Sequence, residues 1–144
     1  MTEHINPEKL DHLAEVAVRT GVNLQPGQDL VITAPTDALD LVRRITVHAY
    51  KAGAGIVMPF FSDDAITLAR FEYATDDSFD RAPDWMFQGM AEAFKGGAAR
   101  MAITGGDPML LAEQDPAKAP PMEYSQMGYN HIIEVLDASG LSTA

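Results

Sequence analysis

The sequence predicts an α/β fold: a three-layer Rossmann-like domain with a small, mainly parallel sheet flanked by helices. Three observations predict it. Short apolar runs rich in β-branched residues lie at 30–33, 56–58 and 100–104. Stretches with apolar residues at helical spacing separate them, and glycine or proline marks the junctions. Continuous apolar runs of this length suit strands buried on both faces of a parallel sheet, and their alternation with helices suits β-α-β units.

The first helix begins at its cap. Asn6 is placed to accept from free backbone N–H groups, Pro7 suits the first helical position, and Glu8 favours the positive helix end. Leu10, Leu13, Ala14, Ala17 and Val18 follow on one face, and Gly21 is the expected left-handed stop. Gln25, Pro26, Gly27 and Gln28 form a turn that feeds the first strand, which Pro35 closes. Thr36 or Asp37 is then the expected cap of a second helix carrying Leu41, Val42, Ile45, Ala49 and Tyr50 as its apolar stripe, with Gly53 ending it before the second strand. A crossover of this kind between parallel strands is right-handed almost without exception.

The pattern repeats. Ser62, Asp63 and Asp64 precede a helix through Ile66, Leu68, Ala69 and Phe71. A polar break at 75–78 leads to a further helix around Trp85, Met86, Met90, Ala93 and Phe94, which Gly96 and Gly97 stop before the third strand. Trp85 reads as a packing anchor. From Asp115 onward Pro116, Pro120 and Pro121 interrupt regular structure, and 130–138 is expected to form a short helix. The residues from Asp115 to Gln126 read as a linker.

Composition narrows the function classes. The chain has 144 residues, 47% apolar and 22% charged, which is a globular balance for one domain. Ten Lys and Arg against 21 Asp and Glu give a net charge of -11. That charge repels phosphate backbones and anionic lipid, so neither nucleic acid nor membrane is an expected partner. With no cysteine, thiolate ligands, thiol nucleophiles and disulfides are excluded. The N-terminus lacks a basic stretch followed by an apolar run, and a cytoplasmic location is expected.

In an open parallel sheet, ligands bind beyond the carboxyl ends of the strands. The most suggestive of these ends is the loop Gly105, Gly106, Asp107 and Pro108, where two glycines let backbone N–H groups approach a ligand and Asp107 offers an acceptor. The same four residues also make an ordinary tight turn into a helix, and they match no dinucleotide or phosphate-loop fingerprint. His4, His12, His48 and His131 show no metal-ligand spacing, and His12 and His48 fall on helices where solvated or hydrogen-bonded surface roles are expected. No Gly-x-Ser-x-Gly elbow is present. No catalytic or metal-ligating residue is assigned in the chain.

The wording of the segments carries a resemblance. Lys9-Leu10 through Ala17-Val18, the stretch Gly21-Val22-Asn23-Leu24-Gln25-Pro26-Gly27-Gln28, Ala49-Tyr50-Lys51-Ala52-Gly53-Ala54, Phe61-Ser62-Asp63-Asp64, Leu68-Ala69-Arg70, the segment around Ile103 to Leu111 and Asp115-Pro116-Ala117-Lys118 stand in order. Together they resemble the N-terminal domain of the thermophilic-type metallo-aminopeptidases, the aminopeptidase T and aminopeptidase S group. The resemblance implies an aminopeptidase N-terminal α/β domain over 1–118 and a divergent, proline-rich tail over 119–144. The resemblance implies a C-terminal domain elsewhere that holds two divalent metals, zinc or cobalt, and the catalytic residues. No cofactor is expected in this chain. It is then a truncated or stand-alone N-terminal domain without activity, and a peptide substrate belongs only to a full-length parent. The alternatives are a non-enzymatic module that binds a ligand or protein at the strand ends, and a small Rossmann-like enzyme in its own right. A homodimer is expected, through apolar surface near Phe60, Phe61, Trp85 and Phe87.

Overall fold

The computed structural model describes residues 6–104, and the loop at Gly105, Gly106, Asp107 and Pro108 and the tail beyond lie outside them. The described residues fall into two compact units, 6–63 with 97–104, and 64–96. The first holds helix α1 (Pro7–Val16), strand β1 (Leu30–Pro35), helix α2 (Leu39–Lys51), strand β2 (Val57–Ser62) and strand β3 (Ala99–Ala102). The second holds helices α3 (Asp64–Tyr73) and α4 (Asp84–Lys95). The expectation of a small α/β domain with a parallel sheet holds.

The sheet has the order β2-β1-β3, and both pairings are parallel. Leu30, Ile32 and Ala34 pair with Val57, Pro59 and Phe61 on one side, and Leu30 and Ile32 pair with Ala99 and Met101 on the other. Directly paired residues share a sheet face, so this face meets the helices: Leu30, Ile32, Ala34 and Val57 form one buried cluster with Ala14, Val18, Val42, Ile45 and Ala49. Val31 projects to the opposite face and is also buried, which accounts for the unbroken apolar run in β1.

The ends of α1 and α2 divide between confirmation and correction. Asn6 caps α1 by accepting from the Glu8 N–H at 2.9 Å, with Pro7 at the first position. Gly21 is not the left-handed stop. The helix instead widens into a π turn over Ala17–Gly21, closed by Val22 N–H to Ala17 C=O at 2.9 Å, and Asn23 takes the positive φ of 52°. Asparagine tolerates that conformation because its side chain finds local hydrogen bonds. Neither Thr36 nor Asp37 caps α2, since a 3-10 turn over Thr36–Ala38 intervenes and Ala38 holds the cap position. Gly53 does stop α2, with φ 96°.

Turn contacts set the sheet's entry points. Gly27 N–H donates to Gly53 C=O at 2.7 Å, and Ile56 N–H donates to Asp29 Oδ1 at 2.8 Å. Gln28 Nε2 donates to Gly97 C=O at 3.0 Å and fastens the approach to β3. In the second unit, Arg70 donates to Ser78 C=O at 2.9 Å and lies over the Phe79 ring at 4.5 Å, while Phe71 meets that ring at 5.5 Å between centroids. Trp85, the expected anchor, is 77% exposed, and Phe87 is the buried aromatic of α4. At helical spacing the two positions face differently, and burial follows Phe87, Ala91 and their stripe.

Candidate functional site

Two places in the first unit gather polar chemistry. The first is the rim at the carboxyl ends of the strands. The chain leaves β1 for β2 on one side and returns to β3 on the other, so the strand order reverses beside β1, the position where open α/β sheets leave a crevice. There the Thr36 hydroxyl donates to Asp63 Oδ1 at 2.9 Å and ties the end of β1 to the end of β2. Ile103 N–H donates to Thr33 C=O at 2.8 Å, and Thr104 is the last described residue before the glycine loop. The loop follows β3 in sequence, and its own residues fall outside the description.

The second place lies between α1 and α2. Asp11 and Glu15 stand one turn apart on α1, and Arg44 and His48 stand one turn apart on α2. His48 Nε2 is 3.1 Å from Asp11 Oδ2, and His48 Nδ1 is 3.7 Å from Glu15 Oε2. Arg44 reaches Asp11 at 3.5 Å and Asp40 at 3.6 Å, distances of ion pairs rather than strong hydrogen bonds. The His48 hydrogen bond, with the charges of His48 and Arg44 beside it, holds the Asp11 carboxyl below its usual value of 3.8.

His48 therefore does not sit on the surface as the sequence led one to expect. Its ring is the buried polar group of the core, at 5% exposure, whereas His12 is exposed. The signal was present in the sequence as two complementary i,i+4 pairs, Asp11 with Glu15 and Arg44 with His48. What no spacing rule supplies is that the two helices face each other.

This cluster does not fit a metal centre. Its two carboxylates approach opposite nitrogens of one ring, so the donors surround the imidazole instead of converging on a shared point. Among the described residues no group of three His, Cys, Asp or Glu gathers to hold a metal ion, and no helix is long and apolar enough to cross a membrane.

Comparison with known proteins gives a consistent result. The profile described as "Thermophilic metalloprotease (M29)" matches residues 6–139. Aminopeptidase T of Thermus thermophilus is 41% identical over 109 residues, which are 76% of this chain and 27% of that protein. Aminopeptidase T of Thermus aquaticus is 40% identical over 119 residues, 83% of this chain and 29% of that protein. Aminopeptidase AmpS of Bacillus subtilis is 39% identical over 104 residues, 72% of this chain and 25% of that protein. The solved wild-type AmpT from Thermus thermophilus superposes with a TM-score of 0.80 at 36% identity, covering 91% of this chain and 33% of that one. The chain thus spans under a third of the length of these curated relatives. The profile match over most of the chain and the identities of about 40% to these relatives show the family: the chain belongs to the thermophilic metalloproteases (M29).

Proposed function

We propose that this chain serves as the N-terminal α/β domain of a dinuclear-metal aminopeptidase and has no hydrolytic activity by itself. The observation that carries this reading is the pairing of about 40% identity over three quarters or more of the chain with coverage of only 27% and 29% of the two aminopeptidase T relatives. In a parent of that kind, residues outside this chain would hold zinc or cobalt, which would supply Lewis-acid polarisation of the peptide carbonyl and activation of water. The domain's contribution is to shape the substrate cleft and a subunit interface, in a cytoplasmic protein.

Equilibrium dialysis with Zn²⁺ and Co²⁺, followed by an assay on aminoacyl substrates, tests the reading. The purified chain should retain no stoichiometric metal and release no product. Metal that survives dialysis, with hydrolysis lost on chelation, would show a complete centre in the chain. A second reading, a ligand-binding module, draws on the strand-order reversal and the Thr36 to Asp63 bridge at the strand ends. Chemical-shift changes at Thr36, Asp63 and Thr104 on addition of free amino acids or dipeptides would favour it over the first.

A further inference from the structure

His48 is a buried titratable group that the proposed function leaves unused, and its surroundings are unusual for a structural histidine. Its side chain is 7% exposed, and each ring nitrogen faces a different carboxylate of α1, both half-exposed. A protonated imidazole has two N–H donors and serves both Asp11 and Glu15. A neutral imidazole has one donor and presents a lone pair to the other carboxylate. The charge state of the ring therefore decides whether it attracts both carboxylates of α1 or only the one to which it donates.

We propose that α1 is seated on α2 by a charge clasp, an imidazolium at His48 shared between Asp11 and Glu15, and that the helix loosens as the ring loses its proton. Of the groups at this contact only the imidazole can offer two N–H donors when charged and one when neutral, so the clasp depends on its proton. The other charged groups on the packed elements do not replace it. On α2, Arg44 is committed to Asp11 and Asp40, and Arg43 and Lys51 are exposed. On α1, Lys9 and His12 are exposed, and on the π turn that touches α2, Arg19 is exposed as well. The sign is fixed by the geometry: a cation between two anions favours the seated helix at lower pH, and the seat weakens as pH rises. The consequence extends to the core, because Ala14 and Val18 pack in the cluster with Ile45 and Ala49 and cover the sheet face beneath.

The test uses the full 144-residue chain, labelled for NMR. The ring resonances of His48, assigned by their loss in His48→Gln, give its midpoint. Hydrogen exchange of the α1 amides, corrected for the intrinsic pH dependence of exchange, gives the seating. Protection of α1 should fall by about two- to five-fold through the same midpoint, the size expected for one partly exposed ion pair. Protection of β1 amides should stay level. In His48→Gln the step should vanish. Should that variant not fold, Asp11→Asn with Glu15→Gln keeps the ring and removes its anions, and the step should vanish there too. Flat α1 protection through the His48 midpoint, a ring that shows no titration over the pH range in which the chain is folded, or a step that persists in either variant would overturn the clasp.

Discussion

Asn6 and Asp11 show how single side chains govern the first helix. Asn6 satisfies one of the free N–H groups at the start of α1, so Asn6→Ala should cost about 0.5–2 kcal/mol in urea unfolding, and a change near zero would mean that another group caps the helix. Asp11 acts through charge. Its folded value lies below 3.8, held there first by the hydrogen bond from His48, so its contribution is present above the ordinary carboxylate range. It is lost as pH falls through the lowered folded value. Denaturant midpoints measured from about pH 5 downward should therefore decline in the native chain, and the decline should be shallower in Asp11→Asn. An unchanged slope in that variant would assign the acid sensitivity to other carboxylates. At this scale the sequence was legible where the chemistry is local. The Asn6 cap depends only on Pro7 and Glu8 nearby, whereas the burial of His48 depends on a helix 33 to 37 residues away, and no local rule reports it.

At the scale of elements, the three strands and the order of helices were readable because apolar runs and helical periodicity are strong signals. The boundaries were less so, for identifiable reasons. Thr36 was expected at a helix cap, but its hydroxyl is used across the sheet by Asp63, and a tertiary bond displaced the local one. Gly21 was expected to carry the left-handed turn that Asn23 carries, because the π turn adds a residue to the helix end. Trp85 was expected to anchor packing, yet it is 77% exposed, and the helical stripe that is buried runs through Phe87 and Ala91.

Gly53 is where local and tertiary demands coincide. It has φ 96°, and a Cβ there would lie 3.1 Å from the Pro26 Cα. Gly53→Ala should destabilise by about 1–3 kcal/mol, the range for a residue forced into a sparsely populated backbone region. Gly97→Ala, with a similar φ of 99° but open space around it, separates the two causes: a larger loss at Gly53 measures the crowding against Pro26, and equal losses would leave conformation as the whole effect. Strand β2 illustrates a second device. Among the described residues it lies at the sheet margin, and two of its outward positions offer no free N–H: that of Val57 donates to the Tyr50 hydroxyl at 3.1 Å, and Pro59 has none. Both features discourage strand addition at an edge.

At the scale of the molecule, that blunted edge bears on how the chain associates. Leu39, Val47 and Tyr50 on α2 are 40%, 51% and 49% exposed, Ile56 just before β2 is 58% exposed, and Phe60 and Phe61, on opposite faces of the β2 edge, are 39% and 41% exposed. Of the residues expected from the sequence to form apolar surface, Phe87 drops out because it is buried, while Phe60, Phe61 and Trp85 are exposed. We propose that two copies pair symmetrically through this α2 and β2 surface by side-chain packing, since Tyr50 and Pro59 remove backbone donors that a continuous intermolecular sheet needs. The net charge of -11 on each copy opposes the pairing, and salt screens that repulsion at distances beyond about 8–10 Å near physiological ionic strength. Light scattering should therefore give a mass that moves from monomer toward dimer as salt and protein concentration rise. Val47→Asp, on an exposed helix position, should hold the chain at the monomer mass without unfolding it. A monomer mass for the native chain at every salt would remove the dimer, and a dimer unaffected by Val47→Asp would move the interface to another face.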